Sequence, residues 1–237
     1  MISGGHKMNI RKIAALAAAA AVALSCGCSG KKGRRRADVP ERPTDWSVEQ
    51  RSIDDITPNE GETQVFINRD EEDDTIRIIQ GVLGPESIND ENDALDLIAS
   101  YSSELDYIDV YSELSFSGTM SYGDKVEYRF DQYCDGMKVL DSYVNLTVDH
   151  NIGNKAVVLE NRYTDTWGFS TKPKVSAMEA VQCAGAKFKA DKSVKPELVI
   201  FRGPVLAWKV AVKDSDVYEV YIDADNGDII REEHTEG

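Results

Sequence analysis

Apolar residues along this chain change their spacing several times, and each change marks a predicted element. Residues 63–68 and 75–80 are short runs rich in β-branched and aromatic side chains. The acidic stretch 69–74 between them reads as a solvated loop, and the pair as a hairpin or two edge strands. From about 89 to 105 the spacing becomes helical: Ala94, Leu97, Ile98, Tyr101 and Leu105 share one face, and Asn89 or Asp90 can cap the start. A period of two then runs through 110–119, 125–134, 137–148 and 155–163. Within the third of these, Val144, Leu146 and Val148 alternate with Asn145, Thr147 and Asp149, which predicts an antiparallel sheet with one buried and one wet face. Tyr122-Gly123-Asp124, Asp135-Gly136 and residues 150–154 separate the runs with turn chemistry.

A similar unit follows Lys172-Pro173-Lys174. Ser176-Ala177-Met178-Glu179 is a capping box opening a helix of about sixteen residues, with Val181, Ala184 and Phe188 on its apolar side. Runs at 197–201, 206–212 and 217–224 read as strands, and Asp225-Asn226-Gly227 turns the chain into a last short strand at 228–231. The expected fold class is α+β, in two modules, each a helix packed on an antiparallel β-sheet. Residues 26–62, basic at first and then acidic and proline-rich, show no apolar period and read as a tether.

Ahead of the tether, Arg11 and Lys12 precede the apolar stretch 13–24. Twelve residues are too few to span a bilayer and suit a signal peptide, so 1–25 reads as a lipoprotein signal. Small residues then lead into a cysteine. Ala23-Leu24-Ser25 before Cys26 fits a lipidation signal, with Cys28 as the alternative acceptor. The expectation is an extracytoplasmic protein lipid-anchored to the cell membrane of a bacterium, with the basic cluster 31–36 next to lipid headgroups.

Charge narrows the partners. The chain carries −15; without Lys7, Arg11 and Lys12 it carries −18, and without the five cations of 31–36 as well, −23. So acidic a body disfavours nucleic acid. Histidine occurs only at 6, 150 and 234, so no His-Glu-x-x-His pair exists to hold a catalytic zinc, and neither a metal nor a cofactor is expected. Asp223 and Asp225 could be drawn as a carboxylate dyad, but Asp-Ala-Asp-Asn-Gly is also ordinary hairpin-turn chemistry. Cys134 and Cys183 either pair or stay as buried thiols packed in apolar patterns.

Residues 126–139 (VEYRFDQYCDGMKV) resemble the FTP domain, the fungalysin/thermolysin propeptide module, through Arg129, Phe130, Gln132, Gly136 and Val139. Two positions depart: Cys134 replaces a common aromatic, and Asp141 stands where a glycine is common. The C-terminal unit resembles a PepSY domain, through Ser176–Ala180 at the helix start, Leu206-Ala207-Trp208-Lys209-Val210, and the closing Tyr221-Ile222-Asp223-Ala224 with Gly227. The resemblance places an FTP-like domain at 63–168 and a PepSY-like domain at 172–233, without the protease that such prodomains accompany.

What the resemblance implies is a non-enzymatic, propeptide-like binding protein that inhibits or chaperones a secreted, thermolysin-like peptidase in trans. Related prodomains continue past PepSY toward the catalytic cleft, whereas Gly237 follows closely on the last predicted strand, so the expectation is binding with weak inhibition and a frayed tail that includes His234. The alternative is an envelope scaffold lipoprotein with no peptidase partner.

Overall fold

Asp90 opens helix α1 (Glu91–Ser100) by accepting hydrogen bonds from the backbone N–H groups of Asn92 and Asp93. The predicted helix to 105 breaks at Tyr101 and resumes as α2 (Ser102–Leu105). The cause is competition for carbonyls: the Ser100 and Ser102 hydroxyls donate at 2.7 Å to the carbonyls of Leu97 and Ala99. Backbone N–H of Arg51 and the Gln50 carboxamide take the carbonyls of Ser100 and Ala99. The five residues assigned to the helical face, Ala94, Leu97, Ile98, Tyr101 and Leu105, are all buried.

The computed structural model describes residues 48–62, 64–72, 74–201, 203–214 and 216–234. The signal and most of the tether, including Cys26 and Cys28, lie outside the described residues. The described part of the tether is packed: Ile56 is buried in the main core, Val48 and Ile53 lie against it, and Thr57 bridges Val82. These apolar residues are too widely spaced to show a period, so the sequence conceals their role.

The fold is α+β, mostly one large sheet with few helices. Its strands are β1 (Phe66–Arg69), β2 (Ile76–Gln80), β3 (Leu114–Tyr122), β4 (Lys125–Cys134), β5 (Met137–Asp149), β6 (Lys155–Asn161), β7 (Glu197–Phe201), β8 (Val205–Ala211), β9 (Val217–Asp223) and β10 (Ile229–His234). They run in the order β1-β2-β6-β5-β7-β8-β9-β10, with β4 also on β5 and β3 on β4. Strand β5 is therefore shared three ways. Its pairing with β7 is parallel, Val139 to Ile200 and Leu140 to Phe201, where only antiparallel pairs were expected.

Three further expectations change. Residues 110–113 form a helical turn, α3 (Val110–Glu113), because Asp109 caps it in place of continuing the strand. Helix α4 (Ala177–Gly185) has the capping box but is shorter than predicted. Its chain tightens after Cys183 so that 190–191 can reach Val212 and Ala211. Strand β10 runs past the predicted end at 231: Glu232, Glu233 and His234 pair with Val220, Glu219 and Val217, so this part of the tail is held.

The cores follow from these placements. One gathers α1–α3 on Ile79, Phe130, Val144, Leu146, Val148 and Leu159. Another sets Ala180 and Ala184 of α4 on Val210, Val220 and Ile222. Val144, Leu146 and Val148 face inward as predicted, while Asn145 and Thr147 face the open side of the sheet, away from α1–α3, and are nonetheless largely buried by their neighbours.

Candidate functional site

The run Arg129 to Val139 crosses from β4 into β5, and its residues divide into separate tasks. Phe130 is buried opposite Val144, with its ring 5.7 Å from that of Phe116. Asp135 and Gly136 have φ of +49° and +76°, the left-handed pair that a two-residue hairpin turn requires. Val139 joins a separate apolar cluster with Ile200, Leu206 and Ala224.

Gln132 is 0% exposed and locks a loop. Its Nε2 donates to the Thr164 carbonyl and its Oε1 accepts from the Thr164 N–H, both at 2.8 Å. The Ser142 hydroxyl lies 2.5 Å from the same Oε1. A carboxamide carries donor and acceptor side by side, so it satisfies a backbone residue as a neighbouring strand would.

Arg129 turns to the open face of the sheet. Its guanidinium lies 3.8 Å from the centre of the Tyr143 ring, and that of Arg162 lies 5.8 Å from it. Arg129 Nε and Lys138 Nζ donate to the two oxygens of Asp131 at 3.1 and 2.5 Å. Burial pushes the Asp131 carboxyl up, but these two donors outweigh it and hold it below the usual carboxylate range. Arg162 Nε and the Tyr143 hydroxyl donate to one oxygen of Glu160, at 2.9 and 3.2 Å, and Asn145 donates to the other. Burial, then the Glu160 charge, pushes the Tyr143 phenol up.

Arg129, Asp131, Lys138, Tyr143 and Arg162 line a cleft of about 460 Å³ together with Leu140, Asp141 and Ser142. The cleft sits where β5 changes partner. Register with β4 passes from Tyr143 on Asp131 to Lys138 on Tyr133, so 139–142 bulge away and Val139 and Leu140 join β7. Asp141 in the bulge has φ of +58°, a left-handed position that suits glycine. Arg231 Nη1 donates to Asp141 at 2.8 Å, and its guanidinium lies 5.7 and 6.0 Å from the rings of Phe201 and Tyr221.

The arrangement is one of binding chemistry: stacked arginine and tyrosine, the residue types that dominate protein interfaces, on an open sheet. The sequence singled out Arg129 but not Tyr143, Arg162 or Arg231. Nothing local to residue 143 announces that the guanidinium of Arg162 approaches its ring from beyond β6.

The other predicted residues lie apart from the cleft. Asp223 Oδ1 accepts from the backbone N–H of Asp225 at 2.7 Å and of Asn226 at 3.2 Å, and Asp225 pairs with Lys174 at 2.9 Å, so the two aspartates build a turn. Gly227 in that turn has φ of +85°, and a Cβ there would meet Cys183 Sγ at 3.1 Å. Trp208, on the strand run 206–212, is half-buried: its ring lies against α4 while Nε1 donates to the Val175 carbonyl at 2.7 Å. Cys134 and Cys183 are half-buried and not bonded to each other. Among the described residues, no group of three or more His, Cys, Asp or Glu is placed to hold a metal, and no helix is long and apolar enough to cross a membrane.

A search of curated proteins found no match. Among solved structures, the Bacillus megaterium YpeB C-terminal domain is similar at 14% identity and a TM-score of 0.35, over 79% of this chain and 88% of that one, a likeness that by itself carries no functional weight. Residues 174–233 match the PepSY family, described as the peptidase propeptide and YPEB domain, so the helix α4 and strands β7–β10 are those of a PepSY domain.

Proposed function

We propose that this chain is a non-enzymatic, propeptide-like binding protein that modulates a secreted peptidase, thermolysin-like by the resemblance of residues 126–139. The match of 174–233 to a peptidase-propeptide family is the observation that carries this reading. The FTP-like assignment of 63–168 is supported by the physical roles of its motif residues: Phe130 in a core, Gln132 locking Thr164, Gly136 in a tight turn, and Asp141 in a left-handed position suited to glycine. In this reading an FTP-like and a PepSY-like module share β5, and the arginine–tyrosine cleft between them docks on the partner. The lipid anchor at Cys26 would hold the complex at the outer face of a bacterial membrane.

The test is binding and inhibition measured side by side. The secreted metallopeptidases of a bacterial host are titrated with the protein, and both association and hydrolysis of a small peptide are followed. Association at micromolar or better, lost in an Arg129→Ala/Tyr143→Ala variant that still folds, is the expected result. No association with any secreted peptidase would leave the envelope-scaffold reading in its place.

A further inference from the structure

Among the described residues three strands have one neighbour only: β1, β3 and β10. Bare edges invite pairing with another chain, and proteins usually blunt them with charge, proline or brevity. Strand β1 is four residues long and carries Arg69; β10 carries Arg231, Glu232, Glu233 and His234. Strand β3 differs. It has nine residues, LSFSGTMSY, with no charge and no proline, in a chain that is 29% charged. A bulge at Ser117 interrupts it, but Gly118–Tyr122 runs in unbroken register with β4. Phe116, Met120 and Tyr122 on it are 42%, 66% and 46% exposed.

The ground beside this edge indicates what it would take. Met120 pairs with Glu127 across the β3–β4 ladder, so both lie on the open face. Among the described residues Glu127 has no hydrogen-bonded or ion-paired partner; burial and the Glu160 charge disfavour its ionised form, and the Arg129 charge offsets them only in part. A strand added beside β3 would lie two strand spacings, roughly 10 Å, from β4. From there a lysine or arginine on the open face can cross Met120 and reach Glu127. A second copy of β3 would bring no cation and would set two chains of −15 against each other.

We propose that the free edge of β3 is a docking site for an extended, lysine- or arginine-bearing segment of a partner protein, which adds to the sheet as a strand beside Gly118–Tyr122 and places a cation over Met120 against Glu127. This rests on the reading of the chain as a protein-binding module and names a second contact surface for it. Main-chain hydrogen bonds supply the affinity, and alternate side chains supply the choice of partner.

The probe is a displayed library of random nine-residue peptides, selected against the intact protein. The expected binders alternate apolar residues with lysine or arginine. Methylating one alternate set of their amide nitrogens abolishes binding and methylating the other set does not, because only one set faces β3. Glu127→Gln weakens them at least tenfold, and Met120→Lys does the same. Both substitutions are at accessible positions, and circular dichroism checks that each variant folds. Selection that yields no binders, binders without cations, or binders indifferent to amide methylation overturns the proposal. So does self-association of the free protein that Met120→Lys abolishes, which would make a second copy the occupant. If a peptidase binds the wild type and the Met120→Lys variant equally, the edge proposal fails while the peptidase reading stands. If peptides bind as expected but no peptidase does, the reverse holds.

Discussion

The side chain of Gln132 and the backbone of Thr164 form a closed pair, one hydrogen bond in each direction at 2.8 Å, with Gln132 fully buried. Gln132→Leu keeps the volume but leaves the Thr164 N–H and carbonyl without partners. The expected cost is about 3 kcal/mol, since a buried orphan group costs about 1–3 kcal/mol. Urea unfolding of the variant measures it, and a loss under about 1 kcal/mol would show that water replaces the carboxamide.

Glu113 gives the fold a pH dependence of unusual sign. Burial raises its carboxyl, against hydrogen bonds from the Tyr163 hydroxyl, the Asp109 N–H and the Thr166 hydroxyl. A carboxyl whose folded pKa is raised binds its proton more tightly in the folded chain. Its burial penalty is therefore present in full at neutral pH and is relieved as pH falls from the folded pKa toward the unfolded one. Glu113→Gln should thus gain stability relative to wild type at pH 7, with the gain shrinking toward pH 4.5. Asp131 acts oppositely: its lowered carboxyl contributes stability that is lost as pH falls below the usual carboxylate range. Unfolding midpoints at pH 7 and 4.5 follow Glu113, and a third at about pH 3, below the usual aspartate range, follows Asp131.

The bulge at Asp141 makes a third comparison. Left-handed backbone costs an ordinary L-residue about 1–2 kcal/mol, which glycine escapes and aspartate partly escapes. Asp141→Gly and Asp141→Ala both lose the exposed pair with Arg231, so the difference between them isolates the backbone. Glycine should be the more stable of the two by about 1 kcal/mol. Equal stability would mean that the bulge relaxes when Asp141 is replaced.

Two apolar positions on adjoining parts of the sheet should respond unequally. Phe130→Ala removes a buried ring and should cost about 3–5 kcal/mol. Trp208→Phe keeps most of the ring and removes the donor to the Val175 carbonyl, so it should cost about 1 kcal/mol. Thermal unfolding of both variants checks the ranking.

Cys26→Ala should move the protein from the membrane fraction to the soluble extracytoplasmic fraction or leave it as uncleaved precursor. Processing and acylation that survive this change and fail in Cys28→Ala would assign the lipid to Cys28. Indifference to both would remove the anchor.

Regular alternation made the inward residues legible: Val144, Leu146, Val148 and Phe130 are buried as their spacing demands. The Asp-Gly turn and the Ser176 capping box were equally legible, because their chemistry is local. Other features depend on distant partners. Tyr101 interrupts a strong helical pattern because residues 50 and 51 reach in for its last carbonyls. Arg129 shares a cleft with Arg162, which arrives from beyond β6, and Arg231 reaches from β10 to Asp141 at its edge; no spacing in the sequence records those approaches.

The parallel join of β5 to β7 sets an order on the making of the fold. Strands β3 to β6 meet through short turns, so they can close soon after they leave the ribosome. Strand β7 emerges later and pairs with Val139 and Leu140, the stretch of β5 that its other neighbours leave unpaired. The earlier half of the chain thus serves as a template for the later one. A chain interrupted before Glu197 would leave that stretch of β5, with the apolar cluster around Val139, open to water and to any other strand that came first.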